Sequence, residues 1–367
     1  MRLDVRTFAL TTAAIAAIGC SPDLTQAPDG TAAAQSTAAA EAGHIGLFGL
    51  GGGSGAFGTG RGCRGEEYRQ FDFWLGRWEI DDNQNPGQPG AGGTNVITSE
   101  LDGCALFEHY VDPTGSGGRS LNAYDAADRR WHQHWVDQNG RLPLLLDGGI
   151  ENGSMVMRYA RPSSQGTVYE RITWTPVAPA GVRQVWDESL DEFQTILGVV
   201  FDGTYRRAPS VVQAPSDGSR LCLDDPAFAH TRRLDFTVGE WDVRVGDRGA
   251  TARSSVTLDQ AGCLVEERLT ATGGYEARVF SSVRFRDRLW QRTYVDNRGV
   301  RVFLSGIPAP EGPVVLAGSA PDGRGGTVRV RATFEPAGTG FVQRWERSAD
   351  GTAWTPLLEA AYTPRRP

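Results

Sequence analysis

The chain has 367 residues, a net charge of −7, and 40% hydrophobic and 9% aromatic residues. That length exceeds one typical domain and suits two, each able to bury a core of its own. All 37 basic residues are arginine, and no block of like charge occurs, which argues against nucleic acid or an anionic lipid surface as the main partner.

In chain order, Arg2 and Arg6 make a basic start and Phe8 to Ile18 an apolar run. The run is too short to span a bilayer as a helix, which takes about 20 residues. Residues 1–19 therefore read as a secretory signal peptide. The following Ala17-Ile18-Gly19-Cys20 resembles the lipobox of bacterial lipoproteins. That resemblance implies cleavage before Cys20 and a lipid anchor on it. An ordinary secreted protein is the alternative. Ser21 stands where an Asp would resemble the inner-membrane retention signal, so the expected address is the periplasmic face of the outer membrane. Residues 20–62 are rich in Ala, Gly, Ser, Thr and Pro, a composition that cannot offset its ordering entropy by burial and reads as a tether.

The remainder is a duplication. Residues 63–208 lie over 222–367, with 209–221 as the linker. QFDFWLGRWEI (70–80) matches RLDFTVGEWDV (233–243), and RRWHQHWVDQNG (129–140) matches RLWQRTYVDNRG (288–299). Glu108 matches Glu267, Gln184 matches Gln343, and Trp186 matches Trp345. Cys63 and Cys104 are separated by the same 41 residues as Cys222 and Cys263. In an oxidising compartment this repeated spacing predicts one disulfide per copy, with cross-domain pairing as the alternative. A zinc site built from the four cysteines lacks closely spaced Cys pairs, and no metal is expected.

Each copy reads as short strands separated by turns, for example Arg119–Tyr124, Trp131–Asp137, Val168–Thr175, Val182–Glu188 and Val200–Arg206. Nine or ten such strands with tight turns predict an all-β chain of two tandem antiparallel up-and-down β-barrels, a two-sheet sandwich being the alternative. Gly76-Arg-Trp78 and Gly239-Glu-Trp241 resemble the Gly-x-Trp motif of the lipocalin and calycin superfamily. The FDFWLGRW opening is similar to uncharacterised bacterial proteins of that type. The resemblance implies that Gly76, Trp78, Gly239 and Trp241 are structural. It also implies that Arg206 or Arg207, and Arg365 or Arg366, pack over the tryptophans.

Strand parity sorts the candidate binding residues. Trp131, Gln133, Trp135 and Asp137 share one face, and Trp290, Arg292, Tyr294 and Asp296 share the matching one; the aromatics are expected inside. His132 and His134 are then expected to face out or lie near the rim, as a solvent-facing pair. Gln184 with Trp186, and Gln343 with Trp345, form a second inward set that could orient a ligand. Arg171 and Arg331 could meet a ligand carboxylate, the matched Glu108 and Glu267, or a structural partner, and Tyr124 completes the candidates.

No Gly-x-Ser-x-Gly elbow, HExxH, P-loop or dinucleotide fingerprint is present, and neither copy has the late His that a haem barrel needs, so no cofactor is expected. The leading expectation is an anchored module that binds or carries a small hydrophobic or amphipathic molecule in a barrel lumen. The alternatives are a lumenal hydratase, isomerase or cyclase acting on an apolar substrate, and a structural envelope lipoprotein without a ligand. The sequence leaves oligomeric state open and leans away from an enzyme.

Overall fold

The computed structural model describes residues 63–139, 143–246, 250–321 and 327–365. The expected signal peptide, Cys20 anchor and tether lie outside these residues. The first copy contains β1 (Gly76–Asp82), β2 (Gly93–Glu100), β3 (Ala105–Val111), β4 (Gly117–Asp125), β5 (Arg130–Asp137), β6 (Leu144–Glu151), β7 (Ser154–Ser163), β8 (Gly166–Val177), β9 (Gly181–Ser189) and β10 (Gly198–Arg207). The second contains β11 (Gly239–Val245), β12 (Ala250–Asp259), β13 (Leu264–Ala271), β14 (Tyr275–Arg284), β15 (Leu289–Asp296), β16 (Arg301–Gly306), β17 (Val314–Pro321), β18 (Thr327–Ala337), β19 (Gly340–Ser348) and β20 (Thr355–Pro364). Every strand pairs antiparallel with its chain neighbours, and the first pairs with the last, so each copy is a closed up-and-down barrel. Closure gives every strand two partners and leaves no edge exposed.

One end of each barrel is plugged by the segment that precedes its first strand. Gly76 and Gly239 sit at φ 142° and 147°, a backbone region that an L side chain rarely enters. The chain turns there so that the Trp78 indole donates to the Trp74 carbonyl and the Trp241 indole to the Thr237 carbonyl, each at 2.8 Å. The Arg207 guanidinium stacks 4.5 Å over the Trp78 ring and donates to the Leu75 carbonyl. Arg206 instead pairs with Asp81 on the outer surface. In the second barrel the Arg365 backbone N–H closes onto the Glu240 carbonyl.

Both expected disulfides form, with Cα separations of 4.8 Å for Cys63–Cys104 and 5.1 Å for Cys222–Cys263. The residues before the second cysteine are left-handed in both copies: Leu101-Asp102-Gly103 and Gln260-Ala261-Gly262. Two non-glycine residues per copy in this region cost on the order of 1 kcal/mol each. Arg69 and Arg232 hold these turns by donating to the Gly103 and Gly262 carbonyls. Cys104→Ala is expected to lower unfolding stability by about 3 kcal/mol by lengthening the unconstrained chain. A urea midpoint equal to that of the oxidised wild type would show that the bridge constrains nothing.

The barrels pack against each other through the outer faces of β3–β5 and β13–β15. Leu121, Val136, Leu264, Phe280 and Val295 form a buried cluster there with all four disulfide cysteines. Ion pairs flank it: Arg119 meets Asp259 and Glu266, and Arg278 meets Glu100 and Glu266. Glu100 is the duplicate of Asp259, and Arg119 of Arg278, so the contact is reciprocal, as in an isologous two-fold dimer. His134 lies on the approximate axis and bonds its own duplicate: its Nδ1 is 2.9 Å from the Thr293 hydroxyl, while its Nε2 is 2.8 Å from the Ser282 hydroxyl. This corrects the expectation of a solvent-facing histidine. His134 does point out of its barrel, but the second barrel covers it to 1% exposure.

Candidate functional site in the first barrel

Inside the first barrel, Trp131, Gln133 and Trp135 follow one another along β5 from the plugged end toward the far end. The Trp131 indole donates to the Glu67 carbonyl and the Gln70 side chain of the plug. Gln133, in the middle, is fully buried and donates to Asn122 at 2.8 Å. Asn122 in turn donates to Ser120. Ser120 donates to Glu108 Oε2 at 2.6 Å, and Asn95 donates to Glu108 Oε1 at 2.7 Å. Alternation along β2, β3, β4 and β5 brings these residues together, because every second side chain on each strand points inward. Burial raises the Glu108 carboxyl to about 7, against the two hydrogen bonds from Ser120 and Asn95, which act to lower it. The Asn95 Oδ1 atom is buried without a hydrogen-bond partner.

The second barrel solves the same problem with a charge. The duplicate of Gln133 is Arg292, whose Nη2 lies 2.7 Å from Glu267 Oε2 and whose Nη1 donates to Ser281. The guanidinium stacks 4.9 Å over Phe334. Both carboxylates were visible as a matched pair in the sequence, but their environments are opposite: Glu267 has a buried cation and Glu108 has only neutral donors. The matched Gln184 and Gln343 both brace the barrel. Gln184 accepts from Tyr205 and Trp174, and Gln343 accepts from Tyr362.

The far ends differ as well. In the second barrel Tyr275, Tyr294, Trp345 and Asp296 are all at most 3% exposed, with Tyr275 and Tyr294 in hydroxyl contact and Arg298 stacked over Tyr275. Burial raises Asp296 to about 6. In the first barrel the same level carries half-buried aromatics: Tyr110, Trp135, Trp186 and Phe201. Their rings lie together at this end, with Tyr110 6.2 Å from Trp135 and 6.5 Å from Phe201 between centroids. Gly118 and Gly203 allow this. A Cβ on Gly118 would lie 2.2 Å from the Trp135 ring, and one on Gly203 2.5 Å from the Phe201 ring. The duplicates in the second barrel are Ala277 and Ala360, both buried. The Trp186 indole donates to Glu170, and Arg161 bridges Glu170 and Glu188. Burial raises Glu170, and Arg161 opposes the shift. Beside this mouth, Ile196, Leu197, Val199 and Val200 form an exposed apolar ridge.

Several candidates lie elsewhere. Arg171 and Arg331 are on the outer faces of their barrels and do not reach Glu108 or Glu267. Arg171 pairs with Asp187 at 2.7 Å, and Arg331 with Glu346 at 2.6 Å. Phe193 and Trp354, from the following hairpin loops, each stack on their arginine at 4.4 Å. The parity of β8 decides this, since Val168, Glu170, Ile172 and Trp174 are the buried set. Tyr124 lies at the plugged end against Tyr68, beside a surface recess lined by Glu67, Gln70 and Arg129. His132 stays near the surface with Asp125 and Asp128, ligand atoms within 4.8 Å of one another, but Arg301 already provides a cation against Asp125. Glu108, Asn95 and Tyr110 escaped the sequence reading as site residues. The signal that could have found them was the exchange of Gln133 for Arg292 opposite a retained Glu.

No protein-family model and no curated protein matches the chain. Among solved structures, a protein of unknown function from the DUF3598 family of Nostoc punctiforme is similar at 11% identity. The match covers 82% of this chain and 99% of that one, with a TM-score of 0.18.

Proposed function

We propose that the chain is a lipoprotein anchored through Cys20 to the periplasmic face of the outer membrane, and that its first barrel binds or carries a small hydrophobic or amphipathic molecule. The second barrel acts as its rigid support. The observation that carries this reading is the asymmetry of the far ends. Half-buried Tyr110, Trp135 and Trp186 lie at the level above Glu108 in the first barrel, while Leu269, Tyr294 and Trp345 at the matching positions of the second are buried. Aromatic walls over a few placed polar groups are the usual composition of a small-molecule site. The adjoining Ile196–Leu197 ridge supplies apolar surface for the rest of an amphiphile.

Native mass spectrometry of the full-length protein from its own membrane tests both parts. The expected spectrum shows a lipidated chain beginning at Cys20 and a non-covalent adduct that is lost in the Trp135→Ala/Trp186→Ala variant. An unmodified N-terminus rejects the anchor, and an adduct-free wild type rejects the binding role.

A second reading, a lumenal isomerase or hydratase, is favoured by the Glu108 carboxyl alone. Its raised value of about 7 suits proton transfer near neutrality.

A further inference from the structure

The two barrels are copies of one design, so the interior of the second shows what the first lacks. In the second barrel a guanidinium lies against Glu267, bonded to Ser281 and stacked over an aromatic ring. In the first barrel the glutamate is retained as Glu108, but Asn122 stands at the position of Ser281, and Gln133, shorter and uncharged, donates its amide to Asn122. An acidic cradle without its internal cation is joined here by four half-buried aromatic rings at the mouth. Aromatic faces attract cations through the ring quadrupole, and quaternary ammonium groups are commonly held in such cages.

We infer that the first barrel takes an amphiphile with an organic cationic head group, held among Tyr110, Trp135 and Phe201 and directed toward Glu108. The inference rests on the binding reading above and specifies its ligand class. In this arrangement the ligand's ammonium does for Glu108 what Arg292 does for Glu267. Three further observations agree. The buried Asn95 Oδ1 beside Glu108 is an acceptor without a donor, and its duplicate in the second barrel is Ser254, whose hydroxyl donates to Glu267. At the rim Glu170 and Glu188 share Arg161, two carboxylates to one guanidinium in this cluster. The second barrel has Val330 in place of Glu170. The exposed Ile196, Leu197 and Val200 lie where an apolar tail emerging from the mouth would run.

The test is titration of the full chain with dodecylammonium below its micellar concentration, followed by tryptophan fluorescence and calorimetry, with laurate and dodecyl maltoside as tail-matched comparisons. The expected result is saturable binding of one cation per chain, about tenfold tighter than either comparison. Glu108→Gln should weaken it by about tenfold, and Gln133→Arg, which gives the first barrel an internal guanidinium, should abolish it. Trp135→Leu at the half-buried rim gives a variant that does not disturb the buried network, and it should also weaken binding. Thermal melts of all three confirm that they fold. If laurate or the maltoside binds as tightly, the cationic assignment fails while the binding role stands. If no amphiphile binds, both fail. Binding that survives Gln133→Arg and Trp135→Leu overturns the placement in the first barrel.

Discussion

Acidification is expected to destabilise the protein through His134, at the face shared by the two barrels. Burial, assisted by the Arg301 charge, lowers this imidazole from 6.5 to about 3. A histidine whose folded value lies below its unfolded value contributes stability that is present above pH 6.5 and lost as the pH falls toward 3. By pH 4 the wild type should have lost about 3 kcal/mol through this group, at 1.36 kcal/mol per unit. The raised carboxyls run the other way. Glu108 and Asp296, raised to about 7 and about 6, favour the fold at lower pH. The clean measurement is therefore a difference. Urea unfolding of wild type and His134→Gln at pH 7 and pH 4 should show the variant losing about 3 kcal/mol less over that interval. Parallel losses in the two proteins would show that His134 does not remain neutral and buried between the barrels.

Replacing the buried cation of the second barrel has the other large expected effect. Arg292→Gln places in that barrel the residue that the first one uses, but it leaves Glu267 without its partner among buried groups. Breaking a buried pair by removing one member typically costs about 3–5 kcal/mol, since the remaining charge is stranded. Adding Glu267→Gln should recover much of this, because two neutral amides carry no desolvated charge. Chemical denaturation of the single and double variants at pH 7 reads the coupling directly. A single variant as stable as wild type would mean that the Glu267 carboxyl is already neutral or hydrated, and the contrast between the barrels would then lose its electrostatic basis.

Part of this protein could be read from residues alone. The barrel architecture followed from period-2 alternation and regularly placed turns, and the disulfides from one spacing used twice. The inward direction of Trp131, Gln133, Trp135 and Arg292 followed from parity, since a strand in a closed barrel has one inside face. Parity also placed His132 and His134 outside, and there it stopped being informative. An outward side chain meets water or another element, and only packing between barrels decides which. Arg171 and Arg331 were open from residues alone to a ligand, to Glu108 and Glu267 or to a structural partner, and their actual partners Asp187 and Glu346 depend on cross-strand register, which turns and bulges determine.

The candidate site shows the same division. The sequence by itself determined that two homologous barrels exist, that each keeps a matched glutamate and an inward glutamine, and that the copies diverge along β5 and β15. Tertiary structure alone decided that Glu108 lies among neutral donors and Glu267 against a guanidinium, and that the rings of the first barrel stay half-buried at its mouth. The physical reason is that a side chain's ionisation and exposure depend on every strand that closes around it. Those neighbours are far apart in sequence and meet only when the barrel shuts.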